Sequence, residues 1–238
     1  MINLILVFVV LQLPVHHVSG THATIYYPEN VSGSVAQSYL SLIDQVYGDA
    51  TGKLEVAREG GLKVRLCHDR YDFSDLTGRD SIFSPLWNDG TLYILCSQVP
   101  GDSAYRQAVE AGVMLGLLSD LRENGAPWWL INSAAIYESG EYNSCSSAPG
   151  EAVEYFSDLN EKIESVSSAA EMSNLCFCLG TTGKFFDSRF GVGSLVKLLQ
   201  EFKDETSFDD AVKNLFHIDR EQLEVDWREF LSNEANLK

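Results

Sequence analysis

The chain has 238 residues, of which 45% are hydrophobic and 21% are charged, a balance typical of globular proteins rather than disordered or fibrous ones. The length suffices to bury a sizeable core in one large domain or in two small ones. Asp and Glu number 34 against 17 Lys and Arg, so the net charge is −17, which argues against nucleic acids and anionic membranes as partners because both require clustered cations.

The first twenty residues predict a secretory signal peptide. Residues 4–15 form an apolar run of about twelve residues, too short to span a bilayer and typical of the hydrophobic region of such a signal. Cleavage is expected after Gly20 or Ala23. Because no Lys or Arg precedes the apolar run, a buried N-terminal strand is the alternative interpretation. The expected mature chain is exported, periplasmic or extracellular, and has no membrane span.

The segment before residue 100 predicts a mixture of strands and one helix. Apolar residues spaced three and four apart indicate the helix, and alternation of apolar and polar residues indicates the strands. In chain order, the predicted elements are a strand over 24–27, a helix over 35–47, a strand over 62–67, a polar and turn-rich segment over 69–89, and a strand over 91–99.

The remainder of the chain predicts helices. They cover 103–124, 128–142, 151–166, 193–202 and 208–215, with a last helix that opens at Asp219. The first of them is apolar nearly all round between Ala108 and Leu118 except at Glu110, which is typical of a helix inside a protein. The predicted fold class is therefore α+β, with a mixed sheet and helix lobe over about 24–100 and a mostly helical lobe over about 101–238. Together they form a single domain over 21–238.

Two helical segments carry a resemblance to a known family. They are Tyr105-Arg-Gln-Ala-Val-Glu-Ala-Gly-Val-Met-Leu-Gly and Trp129-Leu-Ile-Asn-Ser-Ala-Ala-Ile-Tyr-Glu. Together they resemble the paired motifs of the gluzincin metallopeptidases, specifically the peptidase MA-like family. There one helix carries His-Glu-x-x-His and the next carries Trp-Leu-x-Glu-Gly-x-Ala-x-Tyr. The resemblance covers about residues 24–231 and implies a zincin-like fold.

In that family the two His and the Glu of the second helix bind zinc, and the Glu after the first His polarises the bound water. Here Val109 and Val113 stand at the two His positions, and Asn132 stands at the ligand Glu. Valine offers only methyl groups, and a neutral amide is a poor zinc ligand. The resemblance therefore implies that the ancestral zinc is lost and that no metal or other cofactor is bound.

Three motif positions keep the family's residues. Glu110 stands at the catalytic Glu, and Trp129 and Tyr137 match scaffold residues that support the cleft. A simpler interpretation of Glu110 is a cleft-lining or ion-paired carboxylate, with Arg106 one turn earlier as its partner. We therefore assign no catalytic residue and treat Glu110 as a relic of the general base.

The three replaced ligands also have simple interpretations. Val109 and Val113 are typical core residues of any buried helix. Asn132 favours a cap of the second helix or a hydrogen bond across the former cleft. If the alignment is right, Val109, Val113 and Asn132 point at one place, and replacing them with His, His and Glu creates zinc affinity.

The five cysteines leave the disulfide pairing open. They are Cys67, Cys96, Cys145, Cys176 and Cys178. In an oxidising compartment some would pair, but the odd number leaves at least one unpaired within the chain. Cys67 and Cys96 each follow a strand-like run and are candidates for neighbours. Small buried thiols are the alternative.

The sequence thus predicts an exported, catalytically inactive relative of a metallopeptidase. Its function would be to bind a peptide, a protein or a cell-envelope component, whose identity the sequence does not give. One alternative is a divergent active hydrolase that uses Glu110 with metal ligands outside the motif. Another is an exported α+β structural protein without peptidase ancestry.

Overall fold

The computed structural model describes residues 15–56, 58, 60–96, 102–145, 153 and 155–236. The strands are β1 (Val15–Ser19), β2 (Ala23–Pro28), β3 (Leu62–Cys67), β4 (Leu86–Asn88) and β5 (Thr91–Leu95). The helices are α1 (Gly33–Leu54), α2 (Arg70–Thr77), α3 (Ser103–Glu123), α4 (Trp128–Ser139), α5 (Phe156–Ser165), α6 (Ala169–Phe190), α7 (Ser194–Glu201), α8 (Phe208–Phe216) and α9 (Arg220–Asn236). Short 3₁₀ helices cover Ser81–Phe83, Glu141–Ser144 and Phe202–Asp204. The α+β class is confirmed.

The five strands form one mixed sheet in the order β1-β2-β3-β5-β4. The three central strands run parallel, and β1 and β4 pair antiparallel at the two edges. Parallel neighbours need a crossover connection, and α1 supplies it between β2 and β3. The inward side chains of the central strands, such as Ile25, Val64 and Ile94, are fully buried.

Helix α1 extends beyond the predicted 35–47 at both ends. Its N-cap is Ser32, whose hydroxyl accepts a hydrogen bond from the Val35 N–H at 3.3 Å. Its C-cap, Glu55, has a left-handed backbone with φ of 53°. The apolar stripe that predicted the helix faces the core, where Tyr39 and Ile43 are fully buried.

Helix α3 lies at the centre of the molecule, as its all-round apolar surface predicted. It begins at the N-cap Asp102, which accepts a hydrogen bond from the Ala104 N–H at 2.9 Å, and it is followed by Gly125 with φ of 96°. It contacts α1, α4 and the strands β4 and β5. Gly112 and Gly116 allow α3 to approach the sheet closely, because a Cβ at either position would lie 2.8 Å from Leu92 or from Trp87. Helix α3 thus joins the sheet to the helices that follow.

The structure differs from the sequence analysis at two places in the middle of the chain. The segment 69–89, predicted as polar and turn-rich, contains α2 and β4. Residues 169–190, which carried no prediction, form α6. Helix α6 is buried on most sides, so it lacks an amphipathic stripe, and its central Gly-Thr-Thr-Gly has low helix propensity. Its start is nevertheless encoded locally, since Ser168 and Glu171 form a reciprocal capping box.

The predicted signal peptide falls only partly on described residues, since residues 1–14 lie outside them. Val15–Ser19 form the edge strand β1, which is mostly exposed. The apolar run over 4–14, on which both interpretations depend, lies outside the described residues. The ends of two other predicted elements, 97–99 and most of 151–154, also lie outside the described residues. In the described part of the chain, no helix has both the length and the apolar character needed to cross a bilayer.

Candidate functional site

Two cavities flank the pair of helices α3 and α4. The first, which we call the cleft, has a volume of about 510 Å³ and lies between β4 and the helices α3, α4 and α6. Its walls include residues 84–88 on the sheet side and Ala108, Gly112, Asn132 and Leu179 on the helical side. Most of the other side chains that line it are apolar.

The second cavity, which we call the lysine pocket, has a volume of about 630 Å³ and lies on the other side of α4. Its polar lining includes Lys53, Tyr137, Glu138, Asp187 and Lys197. Sequence reasoning singled out only Tyr137 of this group. Lys53 belongs to α1 and Asp187 to the unassigned α6, so no local spacing related them to Tyr137.

The structure does not bring Val109, Val113 and Asn132 to one place, contrary to what the alignment with the zinc ligands predicts. Helices α3 and α4 contact each other, as the alignment requires. Val109 and Val113 are fully buried in the hydrophobic core and are not among the residues that line the cleft. Asn132 does line the cleft. On α3, the residues that share the cleft with Asn132 include Ala108 and Gly112, each one position earlier than the aligned valine.

Asn132 does not cap α4, because Pro127 occupies the N-cap position. Its amide Nδ2 instead donates to the carbonyl oxygen of Trp128, one turn earlier, at 2.8 Å. No described residue donates a hydrogen bond to its amide oxygen, so this acceptor remains available to a ligand in the cleft.

Glu110 is held by a residue from another helix. Lys53 Nζ lies 2.7 Å from Glu110 Oε1 and also donates to the carbonyl oxygen of Glu138 at 2.8 Å. The predicted partner, Arg106, pairs instead with Asp49 at 2.9 Å. Because α1 lies alongside α3, it offers both a cation to Glu110 and a carboxylate to Arg106, and these contacts replace the one within α3.

Loss of this ion pair should be costly. We expect Lys53→Met to lower the free energy of unfolding by about 2–3 kcal/mol, because it leaves the buried Glu110 carboxylate unpaired. The matched control Arg106→Met breaks a more exposed pair and should cost less than about 1 kcal/mol. Urea unfolding measures both. The double variant Lys53→Met, Glu110→Gln should be more stable than Lys53→Met alone. Equal losses for the two single variants would contradict this account.

The side chains of the lysine pocket form a hydrogen-bonded polar group. Tyr137 Oη donates to Asp187 Oδ2 at 3.2 Å, and the Gly193 N–H donates to Asp187 Oδ1 at 3.0 Å. Burial raises the pKa of the Glu138 carboxyl, and the negative charge of Asp187 raises it further. The positive charge of Lys53 partly offsets this shift. Burial and the same aspartate raise the pKa of the Tyr137 hydroxyl. The pocket thus holds the carboxylates of Glu138 and Asp187 together with the two lysines Lys53 and Lys197.

Trp129, predicted to support the cleft, lies in the core. It stacks on Phe156 with ring centroids 4.2 Å apart and meets Phe208 edge-on at 5.4 Å. Its backbone N–H donates to Asn160 Oδ1 at 2.8 Å. Phe156 in turn contacts Trp227 at 4.5 Å. These contacts fix α4 against α5, α8 and α9, and so they fix one wall of the cleft.

The described residues include no group of three or more His, Cys, Asp or Glu side chains arranged to hold a metal ion. Comparison of the chain with models of protein families, with curated proteins and with solved structures found no significant match. The fold and the cavities therefore define an α+β protein with an apolar cleft beneath a sheet edge.

Proposed function

We propose that the chain is an exported binding protein with a peptidase MA-like fold that no longer uses zinc, and that it binds an extended peptide in the cleft. The observation that carries this proposal is the position of the cleft. It lies between the edge strand β4 and the helices α3 and α4, which hold the two motifs.

The edge strand supports a peptide as the ligand. Strand β4 pairs with β5 on one side, and no described strand pairs with its other side. An unpaired strand edge presents N–H and C=O groups that an extended peptide can match, while neighbouring cavities receive alternate side chains. Leu86, Trp87 and Asn88 of β4 all line the cleft, so a peptide paired with β4 would place side chains in it.

The cleft lining fits the spacing of the zinc motif only in a register shifted by one residue, and that register retains none of the residues of the first motif. Ala108 and Gly112 are four apart on α3, which is the spacing of two histidines that reach one ion. They share the cleft with Asn132, whereas Val109 and Val113 do not. In this register the catalytic Glu position falls on Val109, and Glu110 is a structural residue paired with Lys53.

A paired zinc experiment tests the proposal. We expect Ala108→His, Gly112→His, Asn132→Glu to bind close to one zinc ion per chain, because all three side chains would enter the cleft. The Gly112 substitution requires Leu92 to move, since a Cβ there would lie 2.8 Å from its Cδ1. The control Val109→His, Val113→His, Asn132→Glu should bind none and should be strongly destabilised, because two imidazoles would be buried in the core. Dialysis and elemental analysis give the zinc content.

If only the control variant bound zinc, the alignment that places the two histidines at Val109 and Val113 would be correct. Zinc uptake by neither variant, with the first variant folded, would remove the support that the motifs give to the peptidase ancestry.

The export proposal is supported by a disulfide. Cys145 and Cys176 are bonded in the structure, and such bonds persist in oxidising compartments. The alternative function, a hydrolase that uses Glu110 with other metal ligands, is tested by the zinc content and peptidase activity of the unaltered protein. About one zinc per chain together with hydrolysis of peptides would favour that alternative.

A further inference from the structure

Glu141 is an acidic residue of the cleft that no motif singled out. It opens the 3₁₀ helix Glu141–Ser144, which follows α4 and contacts α3, α4 and α6. Its part-buried side chain lines the cleft beside Ile136, Leu179 and the Cys145–Cys176 disulfide. No described residue forms a hydrogen bond or an ion pair with its carboxylate, although its backbone groups are bonded to Ser139 and Ser144.

The other charged groups that line the cleft are Arg79, Arg122 and the exposed Glu164, and the two arginines have contacts elsewhere. Arg79 donates to the carbonyl oxygen of Glu164 at 3.1 Å and lies over the ring of Phe83 at 5.4 Å. Arg122 lies over the ring of Trp128 at 5.1 Å. On the opposite side of α4, Tyr137 and Glu138 belong to the lysine pocket. Among the described residues, no cation therefore pairs with Glu141, and burial raises the pKa of its carboxyl to about 7.

A carboxylate among apolar side chains is costly to retain without a partner. A cationic ligand from outside the chain would supply the missing partner of this carboxylate. We propose that Glu141 binds the ammonium group of a lysine side chain belonging to an extended, otherwise apolar peptide that lies along β4. This inference rests on the proposed function and names the chemistry of its ligand.

Three properties of the cleft favour lysine. Its apolar walls can bury the four-carbon stem of the side chain while the ammonium group reaches the carboxylate. The amide oxygen of Asn132, which accepts no hydrogen bond from a described residue, lines the same cavity and offers a second acceptor. The net charge of −17 attracts a cationic peptide over a longer range.

The test uses an array of acetylated, amidated hexapeptides built from Ala, Leu and Val. Each peptide contains one lysine and has a counterpart with norleucine in its place, which keeps the stem and removes the ammonium group. Affinities are measured at pH 8 by isothermal titration calorimetry, which needs no label. The unaltered protein should bind the best lysine peptide about tenfold more tightly than its norleucine counterpart. Glu141→Gln should reduce this ratio to about one, whereas the control Glu161→Gln, which removes an exposed carboxylate of α5 outside the cleft, should retain it.

A pH series provides a second readout on the unaltered protein. The lysine ammonium stays charged between pH 5.5 and 8.5. The affinity for the lysine peptide should therefore rise with pH through about 7, as Glu141 ionises, and the affinity for the norleucine peptide should not. In Glu141→Gln, the affinity for the lysine peptide should lose this rise.

The outcomes separate the inference from the proposed function. Equal affinity for both members of every pair, with no dependence on Glu141, overturns the role of Glu141 and leaves a peptide-binding cleft. A lysine preference that survives Glu141→Gln also overturns it. No binding by any peptide at 1 mM overturns the inference and the proposed peptide function together.

Discussion

Gly183→Ala is expected to destabilise the protein by about 2–3 kcal/mol, because it forces α4 and α6 apart. A Cβ at Gly183 would overlap the Cβ of Tyr137, and a Cβ at Gly180 would overlap the Cβ of Tyr142. A Cβ atom is fixed to the backbone and cannot move aside by changing rotamer. Both glycines lie inside a buried helix, so the substitution strains the packing that shapes the cleft and the lysine pocket.

The matched control is Gly52→Ala in α1. That glycine is also helical, but it is exposed, and a methyl group added to it would have no neighbouring atom within 4 Å. Alanine there should stabilise the protein by about 0.5–1 kcal/mol through helix propensity alone. Chemical unfolding followed by circular dichroism measures both variants. If both substitutions stabilise the fold, the close contact between α4 and α6 is wrong.

Removing the Cys145–Cys176 disulfide by paired serine substitution should lower the free energy of unfolding by about 3–4 kcal/mol. The bond closes a loop with a sequence separation of 31, and the cost follows from the entropy that this loop regains in the unfolded chain. The bond also ties the 3₁₀ helix that carries Glu141 to α6. Its loss should therefore lower the stability and also weaken the peptide binding that we propose for the cleft.

Thiol titration of the denatured, unreduced protein checks the pairing directly. Three free thiols are expected, from Cys67, Cys96 and Cys178. Cys67 and Cys96 are neighbours, as the sequence predicted, since the Cys96 N–H donates to the Cys67 carbonyl oxygen at 2.9 Å. A count of one would mean that Cys67 and Cys96 are also bonded. A count of five would show that Cys145 and Cys176 are not bonded. Cys178→Ser is the control, because it changes a buried thiol without altering the loop.

The elements that the sequence predicted are those whose signals are local. Strand β3 has the predicted bounds of Leu62–Cys67. One face of the strand is less buried than the other, so apolar and polar residues alternate along it and make it visible in the sequence. Helix α9 begins after Asp219 as predicted, and Asp219 Oδ1 accepts a hydrogen bond from the Gln222 N–H at 2.8 Å. Helix α3 has an apolar centre that predicts its burial.

Helix α6 escaped prediction because its burial comes from several partners at once. It contacts α4, α5, α7 and α9, so apolar and small residues occupy most of its faces and no single stripe remains. Gly180 and Gly183 lower its intrinsic helix propensity, and they are present because neighbouring tyrosines approach closely. The sequence shows the glycines but not the helix that requires them.

The sequence by itself determined the α+β class, the central position of α3 and the two segments that resemble a metallopeptidase motif. Only the tertiary structure decided which side chains meet. It paired Glu110 with Lys53, it placed Asn132 in the cleft without Val109 and Val113, and it revealed Glu141. The spacing of apolar residues along the chain shows which face of a helix is buried, because residues three and four apart lie on the same face. The rotation of α3 against α4 and the approach of α1 depend on long-range packing, which no local pattern records.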